Sequence, residues 1–377
     1  MTDYGAADTL LPDISPFEIK PINSRALVSA LLNLLASIQF VWFYLSCTPS
    51  YLDLYRYEQG LERTPFQDRL LMMFPLAWAH QDPMLIQLAK VMTSLPAWFP
   101  GGVRAEELMQ APIDLACVVV TGLVARAMYV KASPYKLLAP YVYPLTLIML
   151  TTTYTIYTMH RLRFIYDLPS VGFFSLGLYL IYVRKSSHLF IILFIIATVN
   201  RETTVFLLPF YLISEYFRYN QNSYAKSVKP FLLGSIKSRM TWTVLLPLAA
   251  YWVYWHAWVT KHFAHNSSES LSRIWLNVGI LLWPTSWIQI LSVFAFSGPL
   301  IYLSRKLIAD ETLRAWQWVF PMWFIFMVRY GILIEVRIFG ELIPYIACLA
   351  VLIAEKHIIL EAERQRSVLS ISTHPSS

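Results

Sequence analysis

The chain has 377 residues, of which 57% are hydrophobic and only 14% are charged. Average soluble domains carry about 25% charged residues, so this composition excludes an ordinary soluble domain and predicts an all-α integral membrane protein. The net charge of +7 comes without a basic stripe or a binding motif, so it does not indicate a nucleic-acid partner. It is typical of positively charged inner loops and of attraction to anionic membrane lipids.

The N-terminal third predicts a tail, a span and a long outer loop. Residues 1–25 are polar and should form a cytoplasmic tail, and Ala26–Ser46 is long enough to cross about 30 Å of hydrocarbon. Cys47–Pro112 mixes charged residues with two apolar stretches, Leu70–Trp78 and Met84–Leu95. Both stretches are too short to cross a bilayer, which predicts that they lie in the interface or re-enter as a hairpin.

The remainder predicts a polytopic domain over residues 26–354 with about ten crossings and a cytoplasmic tail over residues 355–377. In Leu189–Ser214, two short helices should meet at Asn200–Glu202 on the outer side, because an arginine and a glutamate at mid-bilayer would be costly. Arg273–Tyr302 is too long for one span, which predicts a re-entrant turn near Pro284. Further spans are predicted at Ile113–Val130, Leu137–Met159, Val171–Val183, Met240–Val259, Ala315–Met327 and Ile343–Ala354.

This topology brings four polar islands to the outer face of the membrane. They are Asp53–Arg69, His160–Asp167, Asn200–Glu202 and Glu335–Glu341. Ionisable groups at the ends of spans or within them are costly and are usually functional. The sequence therefore predicts that the four islands converge in one site.

The first island offers candidate catalytic carboxylates at Asp53 and Glu58. Alternatively, the acids of this island form a solvated loop face. Arg69 begins an apolar helix, where the helix dipole disfavours a cation. We therefore expect Arg69 either to bind an anionic substrate or to pair with a carboxylate.

The second island places His160 and Arg163 outside, against the positive-inside rule. Guanidinium groups match phosphate oxygens in two-point contact, which predicts that these residues bind a phosphate-containing substrate. Asp167 precedes Pro169 and either caps the next helix or acts as a catalytic or metal-binding carboxylate.

The third and fourth islands add further charged residues to the predicted site. Asn200 and Arg201 are candidates for substrate binding and Glu202 for catalysis, although these groups could also brace the helix bundle. Glu335 and Arg337 are candidates for substrate binding; alternatively, they form a local ion pair.

Short motifs in these islands are similar to those of a known class of membrane enzymes. ProPheGlnAspArgLeuLeu follows the first span, and the later segments read TyrAspLeuProSer, AsnArgGluThr and GluValArgIlePheGlyGluLeuIlePro. Together they resemble bacterial multipass membrane proteins with a GT-C type glycosyltransferase architecture. The resemblance covers most of the chain between residues 26 and 354.

The resemblance implies transfer of a sugar from a polyprenyl-phosphate donor to a glycan or lipid acceptor at the outer face of a bacterial inner membrane. It implies that an acid of the first outer loop, Asp53 or Glu58, acts as the base. A carboxylate to deprotonate the acceptor and cations to hold the departing phosphate are what such chemistry needs. Mg²⁺ or Mn²⁺ would suit these carboxylates if a metal takes part.

Two other classes of function fit the composition. Broken helices with buried charge indicate a transporter or flippase for a lipid-linked or anionic solute. A non-catalytic assembly subunit would leave the outer charges paired with one another or with a partner.

Overall fold

The computed structural model describes residues 24–95, 102–156, 162–184, 186–222, 239–269 and 272–372, and within these ranges it contains helices and no strands. The α-helices are α1 (Ser24–Cys47), α2 (Leu54–Glu58), α3 (Met73–Gln81), α4 (Pro83–Thr93), α5 (Ala105–Ala132), α6 (Ala139–Tyr154), α7 (Asp167–Tyr179), α8 (Ser187–Asn200), α9 (Leu207–Asn222), α10 (Arg239–His262), α11 (Ile274–Leu282), α12 (Pro284–Leu291), α13 (Ser297–Leu303), α14 (Glu311–Trp316), α15 (Val319–Tyr330) and α16 (Ile343–Ser372). Tighter helical turns lie at Leu70–Met72, Glu202–Phe206, Arg305–Leu307 and Val336–Leu342.

The lengths and apolar character of the helices make this a membrane protein. Among the described residues, three segments are long and apolar enough to cross a bilayer, namely Ala26–Cys47, Ala105–Ala132 and Val336–Ser367. The pair α11 and α12 adds a fourth if the two helices, bent by 101° from one another, count as one broken span. The first span predicted from the sequence is therefore confirmed as a helix of spanning length.

The three long segments differ in how deeply they are buried. Val336–Ser367 is 89% buried in its most apolar window, whereas Ala26–Cys47 is only 17% buried. Leu27 and Leu31 are more than half exposed on α1. A helix that is apolar all round and exposed on most of its surface faces lipid, so α1 lies at the periphery and α16 in the core.

Close packing of α5 against α6 and α7 depends on two glycines. A Cβ at Gly172 of α7 would lie 2.7 Å from the Cβ and Sγ of Cys117 on α5, and a Cβ at Gly122 of α5 would lie 2.5 Å from the Tyr143 ring on α6. Small residues at helix interfaces let backbones approach closely. These contacts bring the start of α7 beside the core helices.

Both predicted interruptions of helices are confirmed. Helix α8 ends at Asn200, and Arg201 is extended with φ −161° and ψ 140° before the turn at Glu202–Phe206. Helix α11 ends at Leu282, and Trp283 is extended with φ −93° and ψ 115° ahead of Pro284, which starts α12. Proline is tolerated in the first helical turn, where its missing N–H leaves no hydrogen bond unmade.

One predicted boundary is wrong. The outer loop was expected to run to Pro112, but α5 begins at Ala105 and continues through that proline. Its first turn is favoured by acidic side chains at the positive end of the helix dipole, and the Arg104 N–H donates to Glu107 Oε2 at 3.1 Å. At the C-terminal end, α16 extends to Ser372, so the predicted tail is helical up to that residue.

The loop that follows α1 is attached to distant parts of the chain by backbone hydrogen bonds. The Tyr51 N–H donates to the Arg163 carbonyl at 3.0 Å, and the Thr64 N–H donates to the Ser267 carbonyl at 2.9 Å. The Asn266 amide also donates to the Glu62 carbonyl at 2.7 Å. These bonds fix the loop over the break between α8 and α9, where the polar islands meet.

Candidate functional site

Asp167 is the centre of a buried group of charged side chains. It is fully buried at the start of α7. Its Oδ1 accepts a hydrogen bond from Arg201 Nη1 at 3.2 Å, and its Oδ2 accepts one from Arg337 Nη1 at 3.2 Å. Asp167 is the first residue of α7 and Tyr166 is its N-cap, so Asp167 does not occupy the capping position, and its carboxylate is turned to these guanidinium groups.

Glu341 closes the inner side of this group. Its Oε1 lies 3.2 Å from Arg201 Nη1 and accepts a hydrogen bond from the Thr203 hydroxyl at 2.8 Å. Asn200 is also fully buried, and its amide donates to Ser170 Oγ at 2.8 Å. The polar residues at the α8 break therefore bind protein groups on α7 and on the Val336–Leu342 turn.

Arg69 and Arg337 add further ion pairs to this group of side chains. Arg69 Nε and Nη2 donate to the two oxygens of Glu202 at 3.0 and 2.6 Å, a bidentate pair. Arg337 Nη2 donates to Glu335 Oε2 at 2.7 Å. The Arg69 guanidinium also lies 4.2 Å from the centre of the Tyr166 ring, a cation–π contact.

We call these residues the charge network. Its members are Arg69, Asp167, Arg201, Glu202, Glu335, Arg337 and Glu341. The predicted convergence of the islands is confirmed for these members, which come from all four. Each arginine is paired with a carboxylate, as the alternative of a structural brace anticipated. Buried charges need such partners, because an unpaired charge is costly in a low-dielectric environment.

Arg163 and Asp53 lie apart from the charge network. Arg163 is buried, donates to the Leu45 carbonyl at 2.5 Å and pairs with Glu107, so it is not free to bind phosphate. Asp53 caps α2 through a hydrogen bond from the Arg56 N–H at 3.2 Å. His160 lies outside the described residues.

A small cleft beside the charge network, with room for about one water molecule, contains a carboxylate that the sequence predicted only as part of a solvated loop face. It is lined by Asp68, Thr198, Glu202, Trp252, Trp255, His256 and Val259. Asp68 Oδ1 is buried and has no hydrogen-bond partner among the described residues. Burial and the neighbouring Glu202 raise the pKa of Asp68 to about 6, against the opposing effect of Arg69.

Aromatic rings on α10 continue from this cleft. Trp252 stacks on His256 with ring centres 5.4 Å apart and planes 7° from parallel. Trp255 stacks on Trp258 at 5.3 Å, and Trp258 stacks on His262 at 5.0 Å. These residues are three or four positions apart, the spacing that puts side chains on one helix face. We call this row the aromatic ladder, and its spacing is readable in the sequence.

Glu58 belongs to a second cluster, with His80 and Glu106. His80 Nδ1 lies 3.0 Å from Glu106 Oε1 and 3.8 Å from Glu58 Oε2. His80 and Glu106 were not predicted as site residues, because no local spacing links residues so far apart along the chain. Only the packing of α2, α3 and α5 brings them together.

Comparisons with known proteins do not add to this geometry. No family model matches the chain, and no curated protein or solved structure matches it either. The similarity to GT-C type enzymes therefore remains a prediction from short motifs. The function must be inferred from the arrangement of the side chains.

Proposed function

We propose that the protein is a membrane glycosyltransferase with a GT-C-like arrangement of about ten crossings. It transfers a sugar from a polyprenyl-phosphate donor to a glycan or lipid acceptor at the outer face of a bacterial inner membrane. The observation that carries this proposal is the cleft in which Asp68 lies unpaired between a bidentate Arg69–Glu202 pair and the aromatic ladder.

Asp68 is the residue we assign as the general base. A base works best when its pKa is near the operating pH and it is within reach of the proton it removes. The pKa of Asp68 is raised to about 6, and its buried Oδ1 is free of hydrogen bonds from the described residues. Asp167 and Glu202 are less suited to this role, because guanidinium groups engage both of their oxygens.

Arg69 is the residue we assign to the departing phosphate. Its planar fork already binds two carboxylate oxygens of Glu202, a geometry that matches two phosphate oxygens equally well. The Glu202 side chain is 26% exposed, whereas Arg69 is 10% exposed. The cleft has room for about one water molecule, so a donor phosphate would have to open it while exchanging with Glu202 on this fork, and the displaced Glu202 would turn toward solvent.

The aromatic ladder is the surface we assign to the sugar or to the first units of the polyprenyl chain. Indole and imidazole rings offer flat apolar faces that stack on the apolar face of a sugar ring. Trp252 also donates from Nε1 to the Glu202 carbonyl at 2.9 Å, which fixes the first ring of the ladder against the cleft.

A second function has an observation in its favour. The arginines of the charge network are paired with carboxylates of the same chain, which is what a non-catalytic assembly subunit requires. The activity of Asp68 variants distinguishes the two proposals, because an unpaired oxygen alone does not: Glu341 Oε2 of the charge network is also buried without a hydrogen bond among the described residues.

The test is transfer of radiolabelled sugar from a pool of polyprenyl-phosphate donors in membranes that contain the protein. We expect Asp68→Asn to lower the rate about 10²- to 10⁴-fold, the usual contribution of a general base. Asp53→Asn is the matched control, since it alters an acid of the same loop that only caps α2, and it should retain most of the rate. An Asp68→Asn variant with full activity would refute the assignment, and absence of transfer by folded wild type would favour the assembly subunit.

A further inference from the structure

Three elements bring an imidazole to face two carboxylates at the edge of the first outer loop. Glu58 is the last residue of α2, His80 lies in the last turn of α3, and Glu106 lies in the first turn of α5. One oxygen or nitrogen of each side chain lies within 4.8 Å of the corresponding atoms of the other two. None of these atoms belongs to the charge network or to the Asp68 cleft.

Glu58 is the member of this cluster that protein contacts leave unexplained. Its side chain is 2% exposed, and its buried Oε1 has no hydrogen-bond partner in the described part of the chain. Burying an ionised carboxylate without a partner is costly. A cation bound between these side chains would remove the cost of burying the ionised Glu58 carboxylate.

We propose that Glu58, His80 and Glu106 bind a divalent transition ion, Zn²⁺ or Mn²⁺. One imidazole nitrogen with two carboxylates is a donor set that these ions accept, whereas Mg²⁺ and Ca²⁺ prefer oxygen ligands alone. Three protein ligands leave at least one coordination position for water or an anionic group. The proposal does not depend on the glycosyltransferase function, because the cluster shares no residue with the proposed catalytic cleft.

The geometry needs only a small adjustment to hold the ion. In a tetrahedral zinc site with bonds of about 2.1 Å, neighbouring ligand atoms are about 3.4 Å apart. The separations from His80 Nδ1 are 3.0 Å to Glu106 and 3.8 Å to Glu58. All three ligand atoms lie within 4.8 Å of one another, and the His80 side chain, which is 47% exposed, has room to follow the two carboxylates as they close on the ion.

A bound ion would fasten the first outer loop to the core. Glu58 and His80 belong to the loop helices α2 and α3, whereas Glu106 belongs to the core helix α5. Without an ion, a protonated His80 bridging the two carboxylates is the competing arrangement, since His80 Nδ1 already lies within hydrogen-bonding distance of Glu106. The two arrangements are distinguished by metal binding.

The experiment is a titration of Mn²⁺ into the purified full-length protein in detergent after treatment with a chelator. Free Mn²⁺ is followed by its electron paramagnetic resonance signal, and Zn²⁺ is then added as a competitor. Glu58→Gln, His80→Gln and Glu106→Gln are compared with Glu311→Gln and His357→Gln, which alter exposed residues of the same types. Size-exclusion profiles establish that each variant is folded.

We expect the wild type to bind one Mn²⁺ per chain, Zn²⁺ to displace it, and each cluster variant to lose at least tenfold in affinity. The control variants should bind as the wild type does. Folded wild type that binds no saturable ion, or cluster variants that bind as tightly as the controls, would overturn the proposal in favour of the protonated bridge. If the Glu58 or Glu106 variant fails to fold, His80→Gln decides alone, because its half-exposed ring contributes little to packing.

Discussion

Asp167 shows how a single residue can hold distant segments together. Each of its oxygens accepts a hydrogen bond from an arginine, one 34 residues and the other 170 residues along the chain. Its sequence context, an acid before a proline, equally favoured a helix cap. The sequence thus predicted that these charges converge, but the partner of each group depended on side-chain geometry that no local pattern encodes.

Removing the charge of Asp167 should be strongly destabilising. Asp167→Asn would leave Arg201 and Arg337 buried with one carboxylate each, and breaking a buried ion pair costs about 3–5 kcal/mol. We expect a clear drop in Tm of the detergent-solubilised protein. Glu311→Gln, which removes a pair with Arg314 whose side chains are 61% and 43% exposed, should change stability by less than about 1 kcal/mol. Equal melting temperatures for the two variants would contradict the role of Asp167.

The pH dependence of transfer should report Asp68. Because its pKa is raised to about 6, the active carboxylate form is lost as the pH falls below this value. The rate should therefore decline about tenfold per pH unit below pH 6 and be level above it. The raised pKa also means that the folded protein binds the proton of the Asp68 carboxyl group more tightly than the unfolded chain does. The stability that this proton binding provides is lost as the pH rises through about 6. An acid limb unchanged in Asp68→Glu would assign the titration to another group.

At the scale of helices, breaks were easier to predict than starting points. The breaks at Asn200 and Pro284 follow from polar and proline residues inside apolar runs. The start of α5 was missed, because Pro112 reads as a terminator although it is tolerated inside the helix. The cluster of Glu58, His80 and Glu106 was missed for a different reason, since it forms only when three helices pack together.

Substitution of two glycines by alanine tests how closely the helices pack. A Cβ at Gly172 would lie 2.7 Å from Cys117 side-chain atoms and 3.0 Å from its Cα, whereas a Cβ at Gly279 meets no atom within 4 Å. Gly172→Ala should cost about 1–3 kcal/mol through overpacking. Gly279→Ala should be neutral or stabilising, since alanine favours helix. Thermal unfolding in detergent measures both, and a harmless Gly172→Ala would show that α5 and α7 pack less closely.

The whole molecule places its most buried helix at the centre and its first helix against lipid. The C-terminal end of α1 and the C-terminal end of α16 should lie on opposite sides of the membrane. Cys47, at the end of α1, is exposed, whereas Cys348 is buried in α16. Arg364 is exposed near the end of α16 and belongs to the tail that we expect in the cytoplasm.

Sidedness can be tested with a membrane-impermeant maleimide. In intact cells, we expect Cys47 of the wild type to be labelled. In a Cys47→Ala background, a cysteine introduced as Arg364→Cys should be labelled only after the membrane is permeabilised. Labelling of both positions from the same side would contradict the predicted topology, with its N- and C-terminal tails in the cytoplasm.

The pairing of Asp167 with Arg337 also determines when the protein can finish folding during its synthesis. A ribosome that has released the chain through α9 has delivered Asp167, Arg201 and Glu202, but Arg337 and Glu341 are still to be made. Until they emerge, Asp167 Oδ2 lacks the hydrogen bond from Arg337 and Arg201 has only one of its two carboxylates, and a buried polar atom without a partner is costly. Chains interrupted before Val336 should therefore depend on insertion factors for retention and be rapidly degraded by membrane quality-control proteases.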